Sequence, residues 1–201
     1  MIRVLDARFL TTAVDEPGWP PGDVPEVAFA GRSNVGKSSM INALAGRRKL
    51  VRVSGTPGRT RTLNFFDLDL ESEGRRRAIR LADLPGYGFA RVSRAERASW
   101  ERMITTYLQR RSALRGVVLI VDAEVGATAE DARTLAYLTS AGRRVLVAAT
   151  KLDRLGKSHR KPQLGAIARA LTVPPDTVLG FSATEKLGIL EVWEALWTAT
   201  S

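Results

Sequence analysis

The chain has 201 residues, no cysteine and one histidine, and its 31 lysines and arginines outweigh 21 acids to give a formal net charge of +10. This length fits one domain with a substantial core, and the lack of cysteine excludes disulfides and thiolate metal sites. No apolar run could span a bilayer and the N-terminus lacks a signal peptide's apolar core, so we expect a cytoplasmic protein without membrane contact. Most cations are arginine, which favours a nucleic-acid partner, although a GC-rich genome would give the same bias.

The first quarter of the chain predicts a phosphate-binding turn. A strand is predicted over 2–13, an ordered proline-rich loop over 15–25 and a second strand over 26–30. The second strand leads into a complete G-x-x-x-x-G-K-S phosphate loop, which opens a helix over 38–45. Backbone N–H groups of such a loop bind anionic oxygens, its lysine reaches the terminal phosphates and its serine hydroxyl ligates Mg²⁺. The residues predicted to bind nucleotide here are Gly31, Arg32, Ser33, Asn34, Val35, Gly36, Lys37, Ser38 and Ser39.

The next polar segment, T-P-G-R-T-R-T, predicts a nucleotide-sensitive switch. A threonine in such a segment can ligate Mg²⁺ while a γ-phosphate is present and release it afterwards. We assign that role to Thr60, although without the other motifs a polar turn would be the simpler interpretation. The predicted nucleotide-binding residues of this segment are Gly58, Arg59, Thr60, Arg61 and Thr62.

An antiparallel edge hairpin is predicted from strands over 62–70 and 78–84, and D-L-P-G follows it. An aspartate at a strand end can hold Mg²⁺ through water, and the Gly86 N–H can contact a γ-phosphate. D-x-P-G is also common in ordinary β-turns, so its position downstream of the phosphate loop decides the interpretation. The predicted residues are Asp83, Leu84, Pro85 and Gly86.

Two later segments predict recognition of guanine. T-K-L-D ends an apolar strand over 144–150 and is a version of the guanine-reading N-K-x-D. The Asp153 carboxylate would accept from the guanine ring N–H and its amine, a donor pair that adenine lacks. The Lys151 stem would pack along the base, and F-S-A, at the end of a strand over 177–181, would bring backbone N–H groups near the guanine O6. The predicted residues are Thr150, Lys151, Leu152, Asp153, Phe181, Ser182 and Ala183.

The remaining patterns complete an α/β fold. A central strand is predicted over 116–122, and helices over 94–110, 129–141, 163–171 and 189–198. Thr128 with Asp131 predicts the start of the helix over 129–141, and Gly142 predicts its end. The alternation indicates a three-layer sandwich with a mostly parallel sheet.

Together the motifs resemble the translation-factor-related GTPases, and T-P-G-R-T-R-T-L-N-F-F and D-L-P-G-Y-G are similar to the EngB family, also called YihA or YsxC. The resemblance covers essentially the whole chain. It implies a Ras-like P-loop GTPase sandwich with an extra N-terminal strand, forming one GTP-binding domain over 1–201 in which 1–25 is an extension. Arg154 and Ala183 depart from the lysine and serine common in the family, and we expect little effect because these positions mainly use backbone.

The resemblance also implies a mechanism. Lys37, Thr60 and Gly86 are the predicted catalytic groups, with Mg²⁺ held by Ser38, Thr60 and, through water, Asp83. Tyr87 stands where Ras-like switches carry a water-orienting glutamine, so we expect slow intrinsic hydrolysis that a partner or K⁺ stimulates. Asn34 occupies a position that helps coordinate K⁺ in related GTPases, and a loop-capping amide is the alternative.

As partners the family implies GTP and GDP, the large ribosomal subunit with its rRNA in late assembly, and a link to normal cell division and septation. Basic residues cluster near the nucleotide-sensitive segments, which fits RNA binding through phosphates. They are Arg47, Arg48, Lys49, Arg52, Arg59, Arg61, Arg75, Arg76, Arg77, Arg80, Arg91, Arg94, Arg97 and Arg102. We expect a monomer, since no dimerisation segment stands out. The alternatives are a nucleotide-gated RNA or division-complex binding protein with negligible turnover and, less favoured because of Asp153, a P-loop kinase or ATPase.

Overall fold

Strands and helices alternate along the chain in the order that the sequence predicts. The computed structural model describes residues 2–51, 62–87 and 94–201, with only the backbone described at 94–97 and 100. The strands are β1 (Arg3–Ala13), β2 (Glu26–Gly31), β3 (Leu63–Ser72), β4 (Arg75–Asp83), β5 (Leu114–Asp122), β6 (Val145–Thr150) and β7 (Val178–Gly180). The helices are α1 (Lys37–Leu44), α2 (Arg94–Arg110), α3 (Ala129–Ser140), α4 (Lys157–Leu171) and α5 (Ile189–Ala199).

The strands form one sheet in the order β1-β3-β4-β2-β5-β6-β7. Strands β4, β2, β5, β6 and β7 are parallel, whereas β3 runs antiparallel to both β1 and β4. The predicted α/β fold is confirmed, and β1 rather than the hairpin is the outermost strand. Its pairing with β3 shifts register at two places, between Val4 and Asp6 and between Phe9 and Thr11.

The side chains of each central strand alternate between the two faces of the sheet, so two cores form. In β2, Val27 and Phe29 join the core that contains α1 and α5, while Ala28 and Ala30 join the core that contains α2, α3 and α4. Helices therefore cover both faces, as the nearly continuous apolar runs of the parallel strands require. No helix within the described ranges is long and apolar enough to cross a membrane.

Two predicted boundaries are wrong for a common reason. The hairpin continues to Ser72 and resumes at Arg75, around Glu73 and Gly74 with φ of +52° and +74°. Helix α4 begins at Lys157 rather than at 163. In both cases the missed residues are polar and largely exposed, so no apolar periodicity marks them.

A buried ionic cluster fixes the proline-rich loop at the amino ends of the parallel strands. The Glu26 carboxylate, fully buried, accepts from the Arg111 guanidinium at 2.8 and 3.2 Å and from the Tyr107 hydroxyl. The same arginine donates to the Pro20 carbonyl at 2.8 Å. The predicted ordered loop is thus tied to the sheet, because breaking these contacts would leave buried charges unpaired.

A second buried pair removes one arginine from the predicted RNA surface. Arg80 is only 3% exposed and donates to both carboxylate oxygens of Asp67, at 2.7 and 3.2 Å. It also donates to the Pro21 carbonyl at 2.5 Å. The prediction that Arg80 contributes to a basic surface is wrong, since Arg80 lies in the part of β4 in which every residue is buried.

Arg111→Met should destabilise the fold by about 3–5 kcal/mol, because it leaves the buried Glu26 charge uncompensated. Arg110→Met is the matched control, since the neighbouring Arg110 pairs with Glu16 at 3.2 Å on the surface, where side-chain exposures are 69% and 47%. The control should cost less than about 1 kcal/mol. Urea unfolding of both variants at neutral pH measures the difference, and equal losses would contradict a special role for the buried cluster.

Candidate nucleotide-binding site

The phosphate loop connects the end of β2 to the start of α1, and its glycines are required by geometry. Gly36 precedes α1 with φ of +98°, a backbone conformation that side chains with a Cβ disfavour. A Cβ on Gly31 would lie 2.9 Å from the Ile120 carbonyl oxygen. The loop can therefore turn sharply with its N–H groups at the helix start, which is the arrangement that favours a bound anion.

The phosphate-reaching lysine and the predicted magnesium aspartate lie in direct contact. Lys37 Nζ donates to Asp83 Oδ1, and their side chains are 11% and 4% exposed. The contact follows from topology, because β2 and β4 are parallel neighbours in which Phe29 pairs with Asp83. Ser38 follows in the first turn of α1. The hydroxyl of Ser38 and the carboxylate of Asp83 are hard oxygen donors, which fit Mg²⁺.

The D-L-P-G turn packs directly against the phosphate loop. A Cβ on Gly86 would lie 3.1 Å from the Ser33 nitrogen, so a side chain at this position would require the loop backbone to shift slightly. Ser33 N–H donates to the Tyr87 carbonyl at 3.1 Å, and Tyr87 N–H donates to the Gly31 carbonyl at 3.3 Å. Two of the predicted nucleotide-binding segments are therefore joined by a backbone bridge.

The Tyr87 side chain is buried against the start of α3. Its hydroxyl donates to Asp131 Oδ1 at 2.9 Å. Burial, with the adjacent carboxylate, raises the pKa of the Tyr87 phenol far above its ordinary value, so the hydroxyl stays protonated. Thr128 and Asp131 form the capping box of α3, which confirms the predicted helix start. Sequence analysis identified these two residues only as a cap and missed the contact of Asp131 with Tyr87.

Thr150 connects the base-reading segment to the phosphate loop. This residue is 3% exposed, and its hydroxyl lies 2.5 Å from the Val35 carbonyl and 3.1 Å from the Val121 carbonyl. The methyl and hydroxyl of Thr150 also lie within van der Waals reach of a Cβ built on Gly36. The side chain at the first position of T-K-x-D thus holds the loop in place.

The carboxylate predicted to read guanine is contacted by the segment that follows β7. Ser182 hydroxyl donates to Asp153 Oδ1 at 2.5 Å, and Leu152 N–H donates to the Phe181 carbonyl at 3.1 Å. T-K-L-D and F-S-A therefore meet, as predicted. Lys151 has φ of +59°, and its ammonium donates to Asp122 Oδ2 at 2.6 Å. Asp122 was not predicted, although its place at the end of a central apolar strand could have indicated it.

The structure brings four of the five predicted segments to one edge of the sheet. They are the phosphate loop, D-L-P-G, T-K-L-D and F-S-A, which follow β2, β4, β6 and β7. Thr62, of the fifth segment, lies just before β3. The predicted residues Gly58, Arg59, Thr60 and Arg61 lie outside the described residues, as do the basic residues Arg52 and Arg91.

Comparison with known sequences agrees with this geometry. A family model described as "50S ribosome-binding GTPase" matches residues 26–151. A probable GTP-binding protein EngB of Myxococcus xanthus is 64% identical over 196 residues, covering 98% of this chain and 95% of the relative. The protein of the same name in Anaeromyxobacter dehalogenans is 53% identical over 197 residues, covering 97% of this chain and 91% of the relative.

Solved structures share the fold. A crystal structure of a probable GTP-binding protein EngB matches with a TM-score of 0.66 and 24% identity, over 87% of this chain and 98% of the other. Aquifex aeolicus Era bound to GDP and aluminium fluoride matches with a TM-score of 0.71 and 22% identity, over 89% of this chain and 57% of Era. A structure of Era with MgGDPNP and nucleotides 1506–1542 of 16S ribosomal RNA gives a TM-score of 0.70 and 23% identity, again over 89% and 57%. With its sequence motifs, its fold and close relatives all in agreement, this chain belongs to the EngB family of GTP-binding proteins, a family of GTPases.

Proposed function

We propose that this chain is a GTP-driven switch, hydrolysing GTP to GDP and phosphate, in late assembly of the large ribosomal subunit. The observation that carries the proposal is the convergence of the Lys37–Asp83 contact and the Asp153–Ser182 contact on one sheet edge. One pair belongs to the phosphate end of a nucleotide and the other to its base end. We further propose that residues 1–201 act as one GTP-binding domain, with 1–25 as its extension.

The proposed chemistry assigns each group one task. Lys37 turns its ammonium from Asp83 to the β- and γ-phosphate oxygens and neutralises charge there. Ser38, Thr60 and, through water, Asp83 would hold Mg²⁺, which when bound offsets the charge that develops on the phosphates. Gly86 directs its N–H at the γ-phosphate. No described side chain is assigned as general base, so positioning of the attacking water carries the reaction.

Guanine selectivity is proposed to rest on Asp153. One oxygen of its carboxylate accepts from Ser182, and the other has no hydrogen-bond partner among the described residues, so it can accept from a base. A guanine offers its ring N1–H and its 2-amino group to such a carboxylate, whereas adenine has an acceptor nitrogen and a C–H at the corresponding positions. An adenine nucleotide would therefore leave the carboxylate without its partner.

Asp153→Asn should move the preference from guanine to xanthine nucleotides, because an amide can donate to the xanthine O2. We expect GDP affinity to fall by about 100-fold or more while XDP affinity rises, a change of the size that loss of a charged hydrogen-bond pair produces. Titration of the purified protein with fluorescent GDP, XDP and ADP measures this. The control Asp176→Asn alters an exposed aspartate near the start of β7 and should leave the affinities for GDP, XDP and ADP unchanged. Wild-type protein that bound ADP as tightly as GDP would contradict the assignment.

Slow intrinsic turnover is the second part of the proposal. The Tyr87 hydroxyl is committed to Asp131, so this residue does not supply the water-orienting function of a glutamine. The same observation favours a second candidate function, a nucleotide-gated binding protein with negligible turnover.

Asn34 is exposed at the mouth of the phosphate loop and is proposed to help hold a K⁺ ion that speeds hydrolysis. A purely conformational reason for asparagine also exists, since its φ is +61°.

The wild-type GTPase rate should be at least about tenfold higher in KCl than in NaCl of equal ionic strength, because a cation beside the β/γ-phosphates offsets transition-state charge. Asn34→Gly tolerates the left-handed backbone but lacks the amide oxygen, so it should lose the K⁺ stimulation and keep the NaCl rate. Phosphate release assays on both proteins measure this. Stimulation that survives in Asn34→Gly, or equal wild-type rates in the two salts, would refute the role of Asn34. Turnover that is negligible even with ribosomal subunits present would favour the second candidate.

The ribosomal partner is proposed from charge and from relatives. The matching family is described as binding the 50S ribosome, and the structurally similar Era has been solved with 16S ribosomal RNA. In this chain Arg47, Arg48 and Lys49 are exposed directly after α1, and Arg75 and Arg76 are exposed at the hairpin tip. These cations would contact RNA phosphates without reading bases. A cytoplasmic location, a monomeric state and a role in cell division and septation belong to the same proposal.

Reversing charge at Arg48→Glu with Lys49→Glu should weaken association with purified large subunits by about tenfold or more, and lower the dependence of binding on salt by about two counterions. Co-sedimentation over a range of KCl concentrations measures both. The matched control is Arg133→Glu with Arg169→Glu, which reverses two exposed arginines on α3 and α4. If both pairs weaken binding equally, net charge rather than this surface accounts for association.

A further inference from the structure

One buried carboxylate connects helix α3 to two nucleotide-binding segments. Asp131 is fully buried and accepts hydrogen bonds at both of its oxygens. Oδ2 accepts from the Thr128 backbone N–H at 2.8 Å and from its hydroxyl at 2.7 Å. Oδ1 accepts from the Tyr87 hydroxyl at 2.9 Å and lies 3.5 Å from Arg32 Nε. Oδ2 therefore caps helix α3, whereas Oδ1 contacts a residue of the phosphate loop and the residue that follows D-L-P-G.

The cap of α3 does not by itself explain this arrangement. A capping box needs one carboxylate oxygen, and an exposed carboxylate serves as well as a buried one. Here the chain instead buries an arginine nitrogen, a phenol and a carboxylate together, which is costly unless each supports the others. Arg32 Nε is buried without a hydrogen-bond partner among the described residues, so its stabilisation comes from the Asp131 charge.

The position of Gly86 depends on what holds its neighbour Tyr87. A Cβ at Gly86 would lie 3.1 and 3.2 Å from the Ser33 nitrogen and Cα, so the turn is in contact with the loop backbone. The bridge between Arg32 and Tyr87 joins the backbones on one side, and Asp131 joins their side chains on the other. A displacement of the Tyr87 ring would therefore carry Gly86 with it.

We propose that Asp131 is a positioning residue. Through Tyr87 and Arg32 it holds the Gly86 N–H at a fixed position relative to the phosphate loop, and this raises the affinity for a triphosphate relative to a diphosphate. The inference rests on the proposed function, in which Gly86 meets the γ-phosphate. GDP has no γ-phosphate and is held by the phosphate loop, so its affinity does not depend on this contact. If Asp131 positions Gly86, disrupting its contacts lowers the affinity for GTP but not for GDP. A merely structural role would not produce this difference in affinity.

The test is Tyr87→Phe, which removes only the hydroxyl from a ring that remains buried. Fluorescent GDP and a fluorescent non-hydrolysable GTP analogue are titrated with wild-type and variant protein in Mg²⁺. We expect affinity for the GTP analogue to fall by about tenfold, with GDP affinity unchanged within about twofold. Asp131→Asn retains an acceptor for Tyr87 but loses the charge that faces Arg32, so it should give a smaller fall with the same selectivity.

Two control variants separate this role from helix stability and from loss of any phenol. Thr128→Ala removes the hydroxyl partner of the α3 cap and leaves the Tyr87 contact in place. Tyr137→Phe removes a phenol on the same helix whose hydroxyl contacts Thr105 at 2.5 Å on the surface. For both variants the ratio of GTP-analogue affinity to GDP affinity should equal that of the wild type, even if thermal unfolding shows that Thr128→Ala is less stable.

The outcomes distinguish the inference from the function on which it rests. Wild-type protein that fails to bind either guanine nucleotide contradicts the proposed function and the inference with it. Wild-type protein that binds both, combined with equal changes for the two nucleotides in Tyr87→Phe, overturns the inference alone. The inference is also overturned if Thr128→Ala changes the ratio of GTP-analogue affinity to GDP affinity as much as Tyr87→Phe does, because the stability of the α3 cap would then explain the effect.

Discussion

The shared direction of β2, β4, β6 and β7 within one sheet is the constraint on which the candidate site depends. The carboxyl ends of parallel strands emerge at the same edge, so the sheet itself brings together segments that are far apart in sequence. Lys37 meets Asp83 for this reason, and T-K-L-D meets F-S-A for the same reason. The antiparallel strand β3 begins at this same edge, since Asn64 pairs with Asp83, and Thr62 immediately precedes it there.

The same sheet is secured at its opposite end by charge rather than by apolar packing alone. Glu26 begins β2, five residues before the phosphate loop starts at Gly31, and its buried pairing with Arg111 ties β2 to the end of α2. Errors in the placement of β2 would propagate directly into the loop that follows it. Buried ion pairs of this kind contribute little net stability but penalise alternative arrangements strongly, which suits an element whose exact register matters.

Sequence alone could predict the fold and the order of the site segments, because motif spacing and apolar runs are local properties. Thr128 and Asp131 were identified as a cap on that basis. The contact between Asp131 and Tyr87, 44 residues apart, depends on how α3 packs over the sheet, which no local pattern encodes. Asp122 beside Lys151 was missed for the same reason. The start of α4 was missed for a different one, since its first turn is solvated and carries no periodic apolar residues.

The shifted register of β1 has a consequence for the exposed margin of the sheet. Among the described residues no strand pairs with the outer side of β1, so this strand of 11 residues offers backbone groups to which a strand of another molecule could be added. The shifts beside Leu5 and Leu10 interrupt the regular spacing of that row at two places. A foreign strand would therefore find no continuous template along β1, which makes pairing of this edge with another molecule less favourable.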